Sequence, residues 1–177
     1  MIMDVAEVRA VLARTPSVLR LLVDGLSEPW LDSRPADGEW SAHQVICHLA
    51  YVEETDWLVR ARMILEVGTG TAFPPVEHGD QSDRYAGLST DEVLSRFTAE
   101  REANLSAMGE LDLSIASLER RGLHPTLGEV TLQQLMATWL VHDHNHVAQL
   151  QAALASHYVA EVGPWRSFLG ILDRVER

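Results

Sequence analysis

Three helix-start signals constrain this chain more than any other feature of its sequence. Ser41 with Gln44, Ser89 with Glu92 and Thr131 with Gln134 are each a hydroxyl and an amide or carboxylate three residues apart, the capping box. A capping box satisfies backbone N–H groups that the first turn of a helix leaves without partners. Apolar residues follow each box at helical spacing: Val45, Leu49, Val52, Val59 and Met63; then Val93, Leu94, Phe97, Leu105 and Met108; then Leu135, Trp139, Leu150 and Ala153. These runs predict helices from Ser41 to Gly68, from Ser89 to Leu111 and from Thr131 through Ala155. A fourth run, Val5, Val8, Leu12, Val18, Leu19, Leu22 and Leu26, predicts one helix from Asp4 to Leu26.

Glycine and proline mark what lies between. Ser27 to Glu39, with Pro29, Pro35 and Gly38, reads as a connecting loop. Thr69 to Gly87 is the longest irregular stretch, and loops of that length in compact domains are functional or mobile. Asp112 to Leu123 either extends the third helix or forms a turn of its own, before His124, Pro125 and Gly128 break regular structure. Gly163 and Pro164 restart a short C-terminal helix with an apolar face of Trp165, Phe168, Leu169 and Leu172. No strand stands out. Four long helices over residues 1–177 predict a single all-α domain, a four-helix bundle, in which side chains on facing helices build the site.

Composition narrows the function. The 26 acidic residues exceed the 14 basic ones, and a net charge of −12 repels phosphate backbones and anionic lipids, so nucleic acid and membrane are excluded as expected partners. No apolar run reaches the roughly 18 residues of a membrane span, and Asp4 and Glu7 stand where a signal peptide needs positive charge. The lone Cys47 offers no internal disulfide, which fits a reducing cytoplasm. Every basic residue is Arg, so lysine Schiff-base chemistry is absent.

Histidine supplies the chemistry. His142 and His146 lie four residues apart, about 40° from each other on a helix, so their rings can meet on one ion. They share the apolar face of Leu135, Trp139, Leu150 and Ala153, while His144 points away. His48 shares the apolar face of Val45, Val52, Val59 and Met63. Three imidazoles facing one interior would leave ring nitrogens unsatisfied unless a divalent ion binds them. Asp56, Asp143 and Gln149 are candidates to accept from the outer ring nitrogens, with Asp56 also a candidate for proton transfer. His43, His78, His124, His144 and His157 read as surface or loop residues, Cys47 as a small buried hydrophobe, and Trp40, Trp139 and Trp165 as core or staple residues.

With those residues in place the chain resembles the DinB/YfiT-like superfamily of metalloenzymes. Gly38-Glu39-Trp40-Ser41 through Val45 to His48-Leu49 is similar to its first block, and Gly128 through Thr131 to His142-Asp143, His146 and Gln149 to its second. Val162-Gly163-Pro164-Trp165 is similar to the tail of one subgroup. The resemblance implies an up-down-down-up bundle, often dimeric, with zinc or nickel on His48, His142 and His146. It also implies relatives that use a low-molecular-weight thiol such as mycothiol, bacillithiol or glutathione. Three neutral ligands leave an open coordination position, as in catalytic sites. The expected activity is therefore thiol S-transfer to a small electrophilic substrate. Metal-dependent hydrolysis and a non-enzymatic metal-binding stress protein are the alternatives.

Overall fold

The computed structural model describes residues 3–77 and 79–174; His78 lies outside them. Eight α-helical segments occur among them: α1 (Val5–Leu12), α2 (Thr15–Val23), α3 (Glu28–Leu31), α4 (Ala42–Thr55), α5 (Trp57–Glu66), α6 (Thr90–Met108), α7 (Ile115–Leu118) and α8 (Leu132–Ser156). All three capping boxes form, at the starts of α4, α6 and α8. Four legs result: α1–α2, α4–α5, α6 and α8.

Contacts between the legs give their directions. Arg9 reaches the carbonyl of Leu105 and Arg20 pairs with Asp91, so the first leg runs antiparallel to α6. His43 meets Thr90 and Glu53 meets Arg101, so the second leg runs parallel to α6. Val8 shares a groove with Ala137, and Thr15 bonds Asp143, so the first leg runs parallel to α8. The bundle is thus up-down-down-up, with α6 and α8 each packed against both of the other legs. The core between them includes Leu12, Leu19, Val45, Leu49, Phe97, Met136 and Trp139, all fully buried.

The first leg is not the unbroken helix that its apolar spacing predicts. Pro16 has no N–H to give the carbonyl of Leu12, so α1 stops and α2 starts with that proline in its first turn. Arg101 takes up the freed carbonyl at 2.8 Å. The same guanidinium, 1% exposed, binds both oxygens of Glu53 at 2.9 Å and both of Asp143 at 2.7 and 3.1 Å. Thr15 donates to Asp143 at 2.6 Å, and Asn104 donates to Glu53. Burial pushes the Glu53 carboxyl up, and Arg101 and Asn104 partly oppose the shift.

The second leg bends at Asp56, where Thr55 turns its hydroxyl onto the Tyr51 carbonyl, a bond that bends helices. Val18 and Val59, predicted to face the core, are partly exposed.

A hairpin absent from the sequence reading precedes α8: β1 (Arg121–His124) pairs antiparallel with β2 (Gly128–Thr131). Gly122 lets it dock, because a Cβ there would lie 2.6 Å from Phe73 and 2.7 Å from Ile64. The predicted C-terminal helix is instead two 3-10 turns, Gly163–Phe168 and Gly170–Arg174. Leu172 is buried, whereas Trp165 and Phe168 are exposed, which corrects the reading of Trp165 as a core or staple residue. No helix among the described residues is long and apolar enough to cross a membrane.

Removing one partner of a buried ion cluster strands the others. Arg101→Leu is expected to lower unfolding stability by about 3–5 kcal/mol in urea titrations. A loss under about 1 kcal/mol would show that the cluster does not hold the legs together.

Candidate metal centre

His48 projects from α4, and His142 and His146 project one turn apart from α8, the leg antiparallel to it. One ring nitrogen from each lies within 4.8 Å of the other two. The Nε2 atoms of His48 and His142 are 3.2 Å apart, and the His142 and His146 ring centroids are 4.3 Å apart. Nitrogens around a tetrahedral zinc at 2.0–2.1 Å stand about 3.4 Å from each other.

Two of the outer nitrogens are committed. His48 donates from Nδ1 to the carbonyl of Gly79 at 3.2 Å, and His146 donates from Nδ1 to Gln149 Oε1 at 2.7 Å. Gly79 has φ +129°, a conformation that L side chains rarely adopt, so a glycine is needed where that carbonyl turns toward His48. The loop is fastened to the helix beside it: Asp80 accepts from Gln44, which closes the capping box of α4 on Ser41, and from Ser82.

These bonds decide the tautomers. A neutral ring with a proton on Nδ1 presents a bare lone pair at Nε2. His142 then either opposes a second lone pair to that of His48 or donates to it, leaving its own Nδ1 a bare acceptor. That Nδ1 is buried and has no hydrogen-bond partner among the described residues. Burial lowers the pKa of His48 to about 4, with His146 adding to the shift, and lowers that of His142 to about 3, with His146 and His48 adding. Burial also lowers the pKa of His146. All three rings are neutral at pH 7, as metal ligation requires. A divalent cation among the three nitrogens resolves the opposed lone pairs, so the donor set fits a metal.

Aromatic side chains wall the cluster. Trp40 lies parallel to His146, and Trp57 meets His142 edge-on and stacks on Trp139. On one side His146, Gln149 and Trp40 line a cavity of about 720 Å³.

The remaining candidates fall elsewhere. Asp56 is ion-paired with Arg60 and, among the described residues, bonds none of the three imidazoles. Asp143, a candidate to accept from a ligand ring, is taken by Arg101 and Thr15 instead. His43 and His157 are half-buried rather than surface residues: His43 bridges Thr90 and Cys47, and His157 stacks on Trp30 and bonds Ser33. His144 is exposed. Cys47 is fully buried and its thiol is pushed up to about 12, chiefly by burial and then by Asp80, so it packs as a small hydrophobe. Sequence reasoning missed the Gly79 carbonyl and the cluster of Arg101, Glu53 and Asn104. Only the glycine left a local signal.

An up-down-down-up helical bundle with three histidines converging between its second and fourth legs defines a class of candidate metalloproteins. The chain belongs to the DinB superfamily, whose sequence profile matches residues 12–150, a span that contains all three histidines. It is 25% identical to "Putative metal-dependent hydrolase YfiT" of Bacillus subtilis over 150 residues, covering 79% of this chain and 78% of that protein. It is 26% identical to a protein of Bacillus licheniformis, also named a putative metal-dependent hydrolase, covering 80% of each. The solved structure of YfiT superposes with a TM-score of 0.68 at 22% identity, over 82% of this chain and 83% of that one. That structure is described as having an unusual four-helix bundle topology.

Asp56 generates a pH dependence. Burial raises its carboxyl from 3.8 to about 6 despite Arg60. The folded state therefore holds this proton to a higher pH than the unfolded chain. The stability it contributes is full below about pH 4 and is lost as pH rises through about 6. Two units correspond to about 3 kcal/mol. The unfolding free energy of wild type minus that of Asp56→Asn, measured on metal-free protein, should fall by up to that amount between pH 4 and 7. A flat or rising difference would contradict the assignment.

Proposed function

We propose that this protein is a metal-dependent hydrolase in which His48, His142 and His146 hold one divalent cation, zinc or nickel. The observation that carries the proposal is the convergence of three neutral imidazoles in which either tautomer of His142 leaves a ring nitrogen unsatisfied among the described residues. The names of the two Bacillus relatives support the reaction class. When bound, the cation supplies a Lewis acid that polarises a substrate carbonyl and acidifies an incoming nucleophile.

The protein's own residues prepare that chemistry. Gly79 and Gln149 fix the tautomers of His48 and His146, so each ring offers the same nitrogen inward. Trp40 and Trp57 keep water off two sides of the rings, which strengthens electrostatic interactions there. The cavity beside His146 admits the substrate.

Thiol S-transfer is the second reading, and one observation favours it. The buried carboxylates Asp56 and Asp143 are turned onto Arg60 and Arg101, and neither lines the cavity beside His146, so neither is placed to take a proton from a water there. A small thiol that reacts as its thiolate needs no such base.

Protein purified without a histidine tag is expected to carry about one equivalent of zinc or nickel by mass spectrometry. His142→Ala should lose the metal, and kcat/KM on a panel of small esters and amides should fall by at least about 100-fold. Turnover without added thiol supports hydrolysis, and a strict thiol requirement supports S-transfer. Wild-type protein that binds no divalent ion would overturn both.

A further inference from the structure

The cavity beside the histidines has a charge character that points to one class of substrate. Its lining includes Glu39, Trp40, Asn145, His146, Gln149 and Asp173, and no arginine lines it among the described residues. Neither Glu39 nor Asp173 has an ion-pair or side-chain hydrogen-bond partner among the described residues. Unpaired carboxylates on a free surface are ordinary. Asp173 is exposed and Glu39 half-buried, but both line one concavity with His146, a polar side chain only 8% exposed, whose Nε2 has no hydrogen-bond partner among the described residues. The ring of Trp40, parallel to His146 at 5.9 Å between centroids, forms part of the same wall.

Each element of that wall favours a cation. A ligand carboxylate or phosphate entering here would meet two negative side chains that no cation among the described residues neutralises, and juxtaposed like charges disfavour such a ligand. An ammonium or guanidinium would gain both carboxylates, and an aromatic face adds attraction for positive charge. The volume of about 720 Å³ suits a small organic molecule rather than a bare ion. The net charge of −12 draws such molecules toward the protein at long range.

We propose that this cavity is the substrate pocket and that it selects a small molecule carrying a positively charged nitrogen, held by Glu39 and Asp173, with its reacting group turned toward the three histidines. The inference rests on the reading of His48, His142 and His146 as a metal centre and adds the substrate class to it. It disfavours multiply anionic substrates and cosubstrates.

The test uses hydroxamates, which bind metal at one end, with tails of three to six methylenes. Each tail ends either in an ammonium or in a methyl group of similar size. Affinities are read by calorimetry on the zinc-loaded full chain at about 0.15 M salt, where long-range attraction is screened beyond about 8 Å. At the best length the ammonium probe is expected to bind at least tenfold more tightly than its neutral partner.

Glu39→Gln combined with Asp173→Asn should bring that ratio to within twofold while leaving zinc binding and the neutral probe unchanged. The two single variants should fall between. Glu110→Gln combined with Glu119→Gln removes the same charge from exposed positions outside the cavity lining and should leave the ratio intact. A ratio near one at every length, persistence of the ratio in the Glu39/Asp173 variant, or equal loss in the control would overturn the inference. The ratio is also measured on metal-free protein by ligand-observed NMR, since carboxylates select the cation with or without zinc. Failure of zinc to bind thus sinks the metal reading alone, and absence of an ammonium preference sinks the substrate class alone.

Discussion

The guanidinium of Arg101 touches every leg of the bundle. From α6 it reaches the carbonyl of Leu12 at the break in the first leg, Glu53 on the second and Asp143 on the fourth. A buried cation between two carboxylates is stable only if nearly all its donors are used, and here five bonds use them. The cost of withdrawing the three charges from water is offset only when the four legs stand in one register. The cluster therefore specifies the arrangement of the legs as well as contributing to its stability. Pro16 belongs to the same device, because the carbonyl that Arg101 needs is one that a continuous helix would have kept.

The histidines depend on that register. Asp143 follows His142 directly, and Glu53 lies on the same helix as His48, so the contacts that clamp Arg101 also set α4 against α8 where the three rings meet. With their protons drawn to Nδ1, His48 and His146 turn bare lone pairs inward, and burial holds all three rings neutral. A divalent cation among them, as proposed above, would remove that opposition. The Gly79 carbonyl and Gln149 complete the arrangement by drawing protons to the outer nitrogens.

Much of this was legible in the sequence. The three capping boxes marked the starts of α4, α6 and α8, and the helical phase of His48, His142 and His146 placed all three in one interior. What escaped detection depended on contacts between distant parts of the chain. Pro16 was masked because apolar residues keep their helical spacing on both sides of the break. The four-residue strands of the hairpin carry no alternation, and they are held by Gly122 against Phe73 and Ile64, some fifty residues distant. Arg101 and Glu53 look like solvent-facing charges on their own helices. Only their pairing across 48 positions makes them core residues. Trp165 read as a core or staple residue on the apolar face of an expected helix, yet its 3-10 turn carries it outward while Leu172 turns in.

X-ray absorption at the zinc edge tests the centre most directly, since it counts the ligands and identifies their elements. Three imidazole nitrogens at about 2.0–2.1 Å with one further light scatterer is the expected first shell. Two or fewer imidazoles, or a sulfur at about 2.3 Å from Cys47, would contradict a cation shared by residues 48, 142 and 146.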